Sequence, residues 1–138
     1  VPPDRPIRAL GEIALRVENL DAMQAFYADV IGLELMRRFP DMAFFRIAAG
    51  YRGHTQILAL FDRTKDASYE GLSPERTTVD HLAFAIGLDN FDVERKRLEG
   101  LGLLVETTTH AWVKWRSLYV TDPEGNRVEL VCYDESIE

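Results

Sequence analysis

Apolar and polar residues first alternate along this chain and then fall at helical spacing. From Glu12, the run EIALRV puts Ile13, Leu15 and Val17 on one parity and Glu12, Ala14 and Arg16 on the other, the pattern of a half-buried strand. Leu20, Met23, Tyr27, Val30 and Ile31 then recur three and four residues apart, which predicts a helix. Asn19 or Asp21 can cap its start, and Gly32 supplies a left-handed stop. Strands are predicted next over residues 34–39, 43–48 and 55–61.

The same order returns from His81. Leu82, Phe84 and Ile86 oppose His81, Ala83 and Ala85, and a looser helical spacing follows at Phe91, Arg95, Leu98 and Leu101. Asp89 or Asn90 can cap this second helix and Gly102 can end it. Strands are predicted over residues 103–107, 116–121 and 127–133, with the turn sequence Asp122-Pro123-Glu124-Gly125-Asn126 ahead of the last. Between the halves, residues 63–79 carry Gly71, Pro74 and no apolar period, so they read as a linker. Pro2, Pro3 and Pro6 mark residues 1–8 as an extended arm. The expectation is one α+β domain over 1–138, built as βαβββ twice: module one over 9–62 and module two over 80–134.

Composition narrows the class. A chain of 138 residues buries roughly two-thirds of its unfolded surface and needs no staple. Its net charge of −7 repels phosphate backbones and argues against a nucleic-acid partner. No apolar run approaches the ~18 residues a membrane span needs, and no signal-peptide pattern opens the chain. The lone Cys132 cannot form an internal disulfide and suits a reducing compartment, so a cytoplasmic location is expected. Two small open sheets leave edges to cover, from which a homodimer is expected.

Parity shows where chemistry can sit. One face of each predicted sheet is apolar enough to carry its helix, and the other mixes small, polar and aromatic groups, like the lining of a cup. In the last strand that mixed face holds Arg127, Glu129, Val131 and Tyr133. The segment TTTHAWVKWR, over 107–116, sets Trp112, Trp115 and Arg116 in what reads as a loop, where aromatics beside cations can close over an anionic or aromatic substrate.

The paired modules, IALRVENLDAMQAFYADVIGLEL after Glu12, VDHLAFAI and YVTDPEGNRVELV resemble the vicinal oxygen chelate superfamily, which includes glyoxalase I, bleomycin- and fosfomycin-resistance proteins and extradiol dioxygenases. The resemblance runs from about Leu10 to Tyr133 and implies two βαβββ modules in a cupped mixed sheet around a small-molecule site. It implies metal ligands at Glu12, Gln56, His81 and Glu129, Gln56 being found by laying TQILALF on VELVCYD. Such a set suits a divalent ion, with zinc, nickel, manganese and iron all admissible. His54 shares parity with Gln56 and is a substitute ligand. Arg37 matches an arginine common in glyoxalase-like relatives and is a candidate substrate contact.

Dioxygenase and fosfomycin-resistance relatives place a histidine where Glu12 stands, and only His54 or His110 can supply a second imidazole here. The resemblance therefore leans to a metal-dependent lyase or isomerase of glyoxalase type, with Glu129 as base and Glu12 as its partner. An extradiol dioxygenase, or a non-catalytic binding protein of bleomycin-resistance type, is the alternative. No counterpart of the longer basic segments that grip glutathione is present.

Overall fold

The alternating segments form two four-stranded mixed sheets, each with one helix between its first and second strands. The computed structural model describes residues 5–138, which divide into two compact units, one ending at Leu72 and the other beginning at Ser73. The arm expected over 1–8 lies in part, residues 1–4, outside the described residues.

In the first unit β1 (Glu12–Val17) is followed by α1 (Leu20–Ala25), β2 (Glu34–Phe39), β3 (Met42–Tyr51) and β4 (His54–Asp62). The order across the sheet is β1-β4-β3-β2, with β1 parallel to β4 and the other pairs antiparallel. The Asn19 side chain caps α1, accepting from the Ala22 N–H at 3.1 Å. α1 runs on into a π-helical turn, Phe26–Ile31, where the Gly32 and Leu33 N–H groups both donate to the Tyr27 carbonyl. Gly32 sits at φ 91, the left-handed stop its sequence position predicts. Leu15, Val17, Leu58, Leu60 and Phe45 bury against Leu20, Met23 and Tyr27, so the helix-facing parity is the core.

In the second unit β5 (His81–Ala85), α2 (Leu88–Gly100), β6 (Glu106–His110), β7 (Trp115–Thr121) and β8 (Arg127–Tyr133) form a sheet of order β5-β8-β7-β6. β5 is parallel to β8. Leu82, Leu118, Val120, Val128 and Leu130 are buried, as are Phe91 and Leu98 of α2. This is the expected pair of βαβββ modules.

Three details differ from expectation. The cap of α2 is Gly87, with no side-chain hydrogen bond, and Asp89 and Asn90 lie inside the first turn. Strand β6 starts at Glu106 rather than 103 and runs through Thr107–Thr109, because antiparallel pairing with β7 fixes it from the His110↔Trp115 end. Only residues 111–114 are therefore left as loop, and Trp115 and Arg116 belong to β7. β-branched threonines tolerate a strand without an apolar period, which is why the pattern missed it. Finally, residues 63–79 are not featureless: Pro74–Arg76 forms a 3-10 turn, and Tyr69 donates to Glu18 at 2.8 Å.

Candidate functional site

The second unit brings together two of the expected ligands. His81 opens β5 and Glu129 lies on β8, whose register pairs His81 with Arg127 and Ala83 with Glu129. Odd-numbered residues of both strands share the face away from α2, so the two side chains converge. His81 Nε2 stands 3.1 Å from Glu129 Oε1, with Glu129 nearly buried and His81 partly exposed. Behind them, His81 Nδ1 meets Asp80 Oδ1 at 2.6 Å, and the Ser117 hydroxyl donates to Glu129 Oε2 at 2.5 Å.

These contacts fit a cation on chemical grounds. Both imidazole nitrogens face carboxylate oxygens. A neutral ring has one N–H, and Asp80 is placed to take it at Nδ1. In that tautomer Nε2 presents a lone pair toward Glu129, which suits a cation between them. A carboxylate on the distal nitrogen and a donor on the ligand carboxylate are the usual outer supports of a metal-binding histidine and glutamate. Two ligands about 2.1–2.2 Å from one ion, at right angles, lie about 3.0–3.1 Å apart, which matches the observed separation. Among the described residues no group of three or more His, Cys, Asp or Glu stands where it could hold an ion by itself.

Tyr119 flanks it. The residue pairs with Glu129 in the β7–β8 register, and its ring sits edge-on to His81 at 6.4 Å. Burial, and then the Glu129 charge, pushes the phenol above its ordinary range. The hydroxyl is 3.4 Å from His110 Nε2. A cleft of about 300 Å³ opens beside His81, walled by Asp80, Glu106, Thr108, Tyr119 and Arg127. Arg127 stacks on the Tyr119 ring at 4.4 Å and pairs with Glu106 at 2.9 Å, which holds the Glu106 carboxyl below its usual range.

In the first unit Glu12 is exposed and has no hydrogen bond or ion pair among the described residues. It pairs with Ile57, as His81 pairs with Arg127, so Glu12 and His81 are register equivalents. Gln56 departs from expectation. Counted from these pairings, the counterpart of Glu129 is Ala59, and Gln56 lies three residues earlier with the parity of Leu58 and Leu60. Strand alternation thus sets Gln56 with the helix-facing set and not with Glu12. The His54 ring lies beside Gly11, at ordinary van der Waals distance from where a side chain would start.

The expected substrate contacts also divide. Arg37 pairs with Phe44, which pairs with Ala59, so Arg37 shares the Glu12 face. Trp115 has the parity of Ser117 and Tyr119, and Trp112, at the hairpin tip, is 85% exposed with its ring 6.4 Å from that of Trp115. Arg116 does not join them. It points to the helix side, 2.7 Å from the nearly buried Asp134 and stacked over Phe91 of α2. Its even parity is the reason. Ser136 and Arg116 hold the Asp134 carboxyl down to about 2.

Asp80, Ser117 and Tyr119 were absent from the sequence expectation. The signal was available for the last two: the Asp122–Asn126 turn fixes the β7–β8 register, which sets Tyr119 opposite Glu129.

Comparison with known proteins agrees with this layout. Residues 9–130 match the family model for the Glyoxalase/Bleomycin resistance protein/Dioxygenase superfamily. The solved lactoylglutathione lyase of Agrobacterium tumefaciens is 32% identical, with TM-score 0.67 over 92% of this chain and 95% of that one. A variant of the fosfomycin resistance protein FosX from Listeria monocytogenes, solved with Mn(II) and 1S,2S-dihydroxypropylphosphonic acid, shares the fold at TM-score 0.70 and 23% identity, covering 94% of each chain. Glutathione transferase FosA of Serratia marcescens is 23% identical over 124 residues, 90% of this chain and 80% of that protein.

Proposed function

The chain belongs to the glyoxalase/bleomycin resistance protein/dioxygenase superfamily, and from that premise we propose that it is a metal-dependent lyase or isomerase of glyoxalase type, acting on a small substrate bound through adjacent oxygens. The observation that carries this reading is the His81–Glu129 pair at 3.1 Å, backed by Asp80 and Ser117. His81 and Glu129 are the proposed ligands from the second unit and Glu12 the proposed third. Mn(II), present in the FosX complex, is the first ion to test, with zinc, nickel and iron as competitors. A divalent cation held there supplies charge that polarises adjacent substrate oxygens and stabilises the negative charge developing on them.

The remaining work falls to side chains. Glu129 has one oxygen toward His81 and the other accepting from Ser117, so it is suited to holding and not to moving a proton. Glu12 carries no such engagement and is the better base for a proton next to the bound oxygens. Tyr119, kept protonated at neutral pH, presents a donor to the same cleft. Extradiol chemistry ranks lower because one imidazole, not two, meets Glu129 among the described residues. We take the protein to act in the cytoplasm as a homodimer, which sedimentation at micromolar concentration checks.

The test measures metal content and turnover together, on a panel of 2-oxoaldehyde–thiol adducts after incubation with each ion. Glu12→Gln should retain His81 and Glu129 and lose on the order of 10²–10⁴ in kcat. Absence of metal and turnover with every ion would end the lyase reading and leave a binding module.

A further inference from the structure

The chain is acidic, and five of its arginines are closely matched to carboxylates. Arg38 meets Asp21, Arg95 meets Glu99, Arg97 meets Glu94, Arg116 meets Asp134 and Arg127 meets Glu106, all within 2.9 Å. Arg37 is different. It is exposed and has no ion pair among the described residues. Its guanidinium lies over the Phe39 ring at 4.7 Å. Phe39 meets Phe44 edge-on at 5.9 Å, and Phe44 meets Phe61 edge-on at 5.8 Å. Arg63, without a carboxylate partner among the described residues, closes the far end over Phe61 at 4.8 Å.

Register places this ladder. Arg37, Phe44, Ala59 and Ala14 are successive partners across β2, β3, β4 and β1, on the sheet face that carries Glu12 one row away. Phe44 shares the row of the unmatched Arg37, Phe39 and Phe61 fill the next row away from Glu12, and the exposed Ala14 leaves the ground before Glu12 open. An arginine fork binds a carboxylate or phosphonate through two parallel N–H donors. Edge-presenting phenylalanines favour a flat apolar body.

We propose that this face is the subsite for an organic oxyanion with a planar apolar body, its anionic group on Arg37 and its ring against Phe44. The proposal rests on the reading of Glu12 as part of the site and names the class of substrate that reading left open. Charge complementarity selects the occupant: unmatched cations on one face of a chain of net charge −7 call for an anion, and the phenylalanines exclude a bare inorganic one.

The test is an NMR titration of the metal-free full chain with benzoate and with phenylphosphonate, which separates carboxylate from phosphonate preference. Acetate, methylphosphonate and benzamide serve as probes lacking the ring or the charge. Saturable shifts at β2 and β3 are expected for at least one aromatic anion, about tenfold tighter than for its ring-free analogue. Arg37→Gln should weaken binding about tenfold and Arg37→Lys should restore part of it, while Arg46→Gln, on the same face but 4.0 Å from Glu34, should stay within twofold. Benzamide binding as well as benzoate, or unchanged affinity in a folded Arg37→Gln protein, overturns the proposal. Mn(II) titration of the same preparations keeps the two readings apart. Metal binding without aromatic-anion binding defeats this inference alone, and the converse defeats the metal reading alone.

Discussion

The two units carry the same row of positions with opposite chemistry. Across the first sheet the row reads Arg37, Phe44, Ala59, Ala14; across the second it reads Glu106, Tyr119, Glu129, Ala83. A cation, a bare ring and a methyl group in the first unit correspond in register to a carboxylate, a phenol and a carboxylate in the second. The helix-facing positions one residue away barely differ: Leu58 and Leu60 in one unit, Val128 and Leu130 in the other, all buried. Burial holds the apolar side of each sheet to one chemistry, because a polar group there goes unsatisfied. The far side diverges even where it is buried, because in the second unit Ser117 and His81 meet the Glu129 carboxylate that has no counterpart at Ala59. A repeat of this kind keeps its scaffold in one parity and writes its chemistry in the other.

The sharpest way to break the comparison is to write one row into the other. Ala59→Glu would place a carboxylate where the first unit has a fully buried methyl group without a serine or histidine to receive it. Unfolding in urea should show a loss of about 3–5 kcal/mol. A loss under about 1 kcal/mol would mean that the first face is as ready for a carboxylate as the second.

The next effect is on the ion. His81→Ala deletes the only nitrogen of the proposed ligand set and should reduce Mn(II) affinity by more than the roughly 10–100-fold that losing an outer support costs. Asp80→Ala removes such a support and should fall within that span, with Asp80→Asn in between. The 15N shifts of the His81 ring in metal-free protein check the cause, since they report which ring nitrogen carries the proton. Equal metal affinity in wild type and Asp80→Ala would reduce Asp80 to an exposed neighbour.

How far the sequence could carry this depended on parity. Where apolar and polar residues alternate, as in EIALRV and HLAFAI, both strand and face were legible, and Glu12 and His81 follow as equivalents. The helix stop at Gly32 and the Asn19 cap were legible too, because each has a local cause. Residues 57–61 are apolar without a break, so their parity cannot be read from pattern; pairing with β1 decides it, and the phase comes out three residues from the one that puts Gln56 opposite Glu129. The supporting contacts of Asp80 and Ser117 depend on side-chain geometry that no periodicity encodes.

Arginine placement gives a smaller, pH-dependent contrast. Arg116, on the helix side, helps hold Asp134 at about 2, against an ordinary 3.8, whereas Arg37 on the open face holds no carboxylate. A depressed carboxyl contributes stability that is complete above its unfolded value and is lost as pH falls through the folded one. The contribution should therefore fade between about pH 4 and pH 2. Thermal midpoints across that window should converge for wild type and Arg116→Gln at the acid end and separate above it. Arg37→Gln should track wild type throughout. Parallel curves for Arg116→Gln and wild type would remove the pair from the stability account.

The smallest expected effect is the most specific test of the register. Gln56 has an amide oxygen that suits a divalent ion, and a simple overlay of the two β8-like runs assigns it that role. Pairing of Glu12 with Ile57 and of Ala48 with Gln56 sets the side chain on the parity of Leu58 instead. Gln56→Ala should consequently leave Mn(II) affinity within about twofold, while Glu129→Gln, at the position truly equivalent to Ala59, lowers it by at least about tenfold. Both are read in one competition titration with a metal indicator. A loss at Gln56 comparable with that at Glu129 would mean that β4 turns its amide toward Glu12 despite the alternation, and the equivalence of Ala59 with Glu129 would have to be given up.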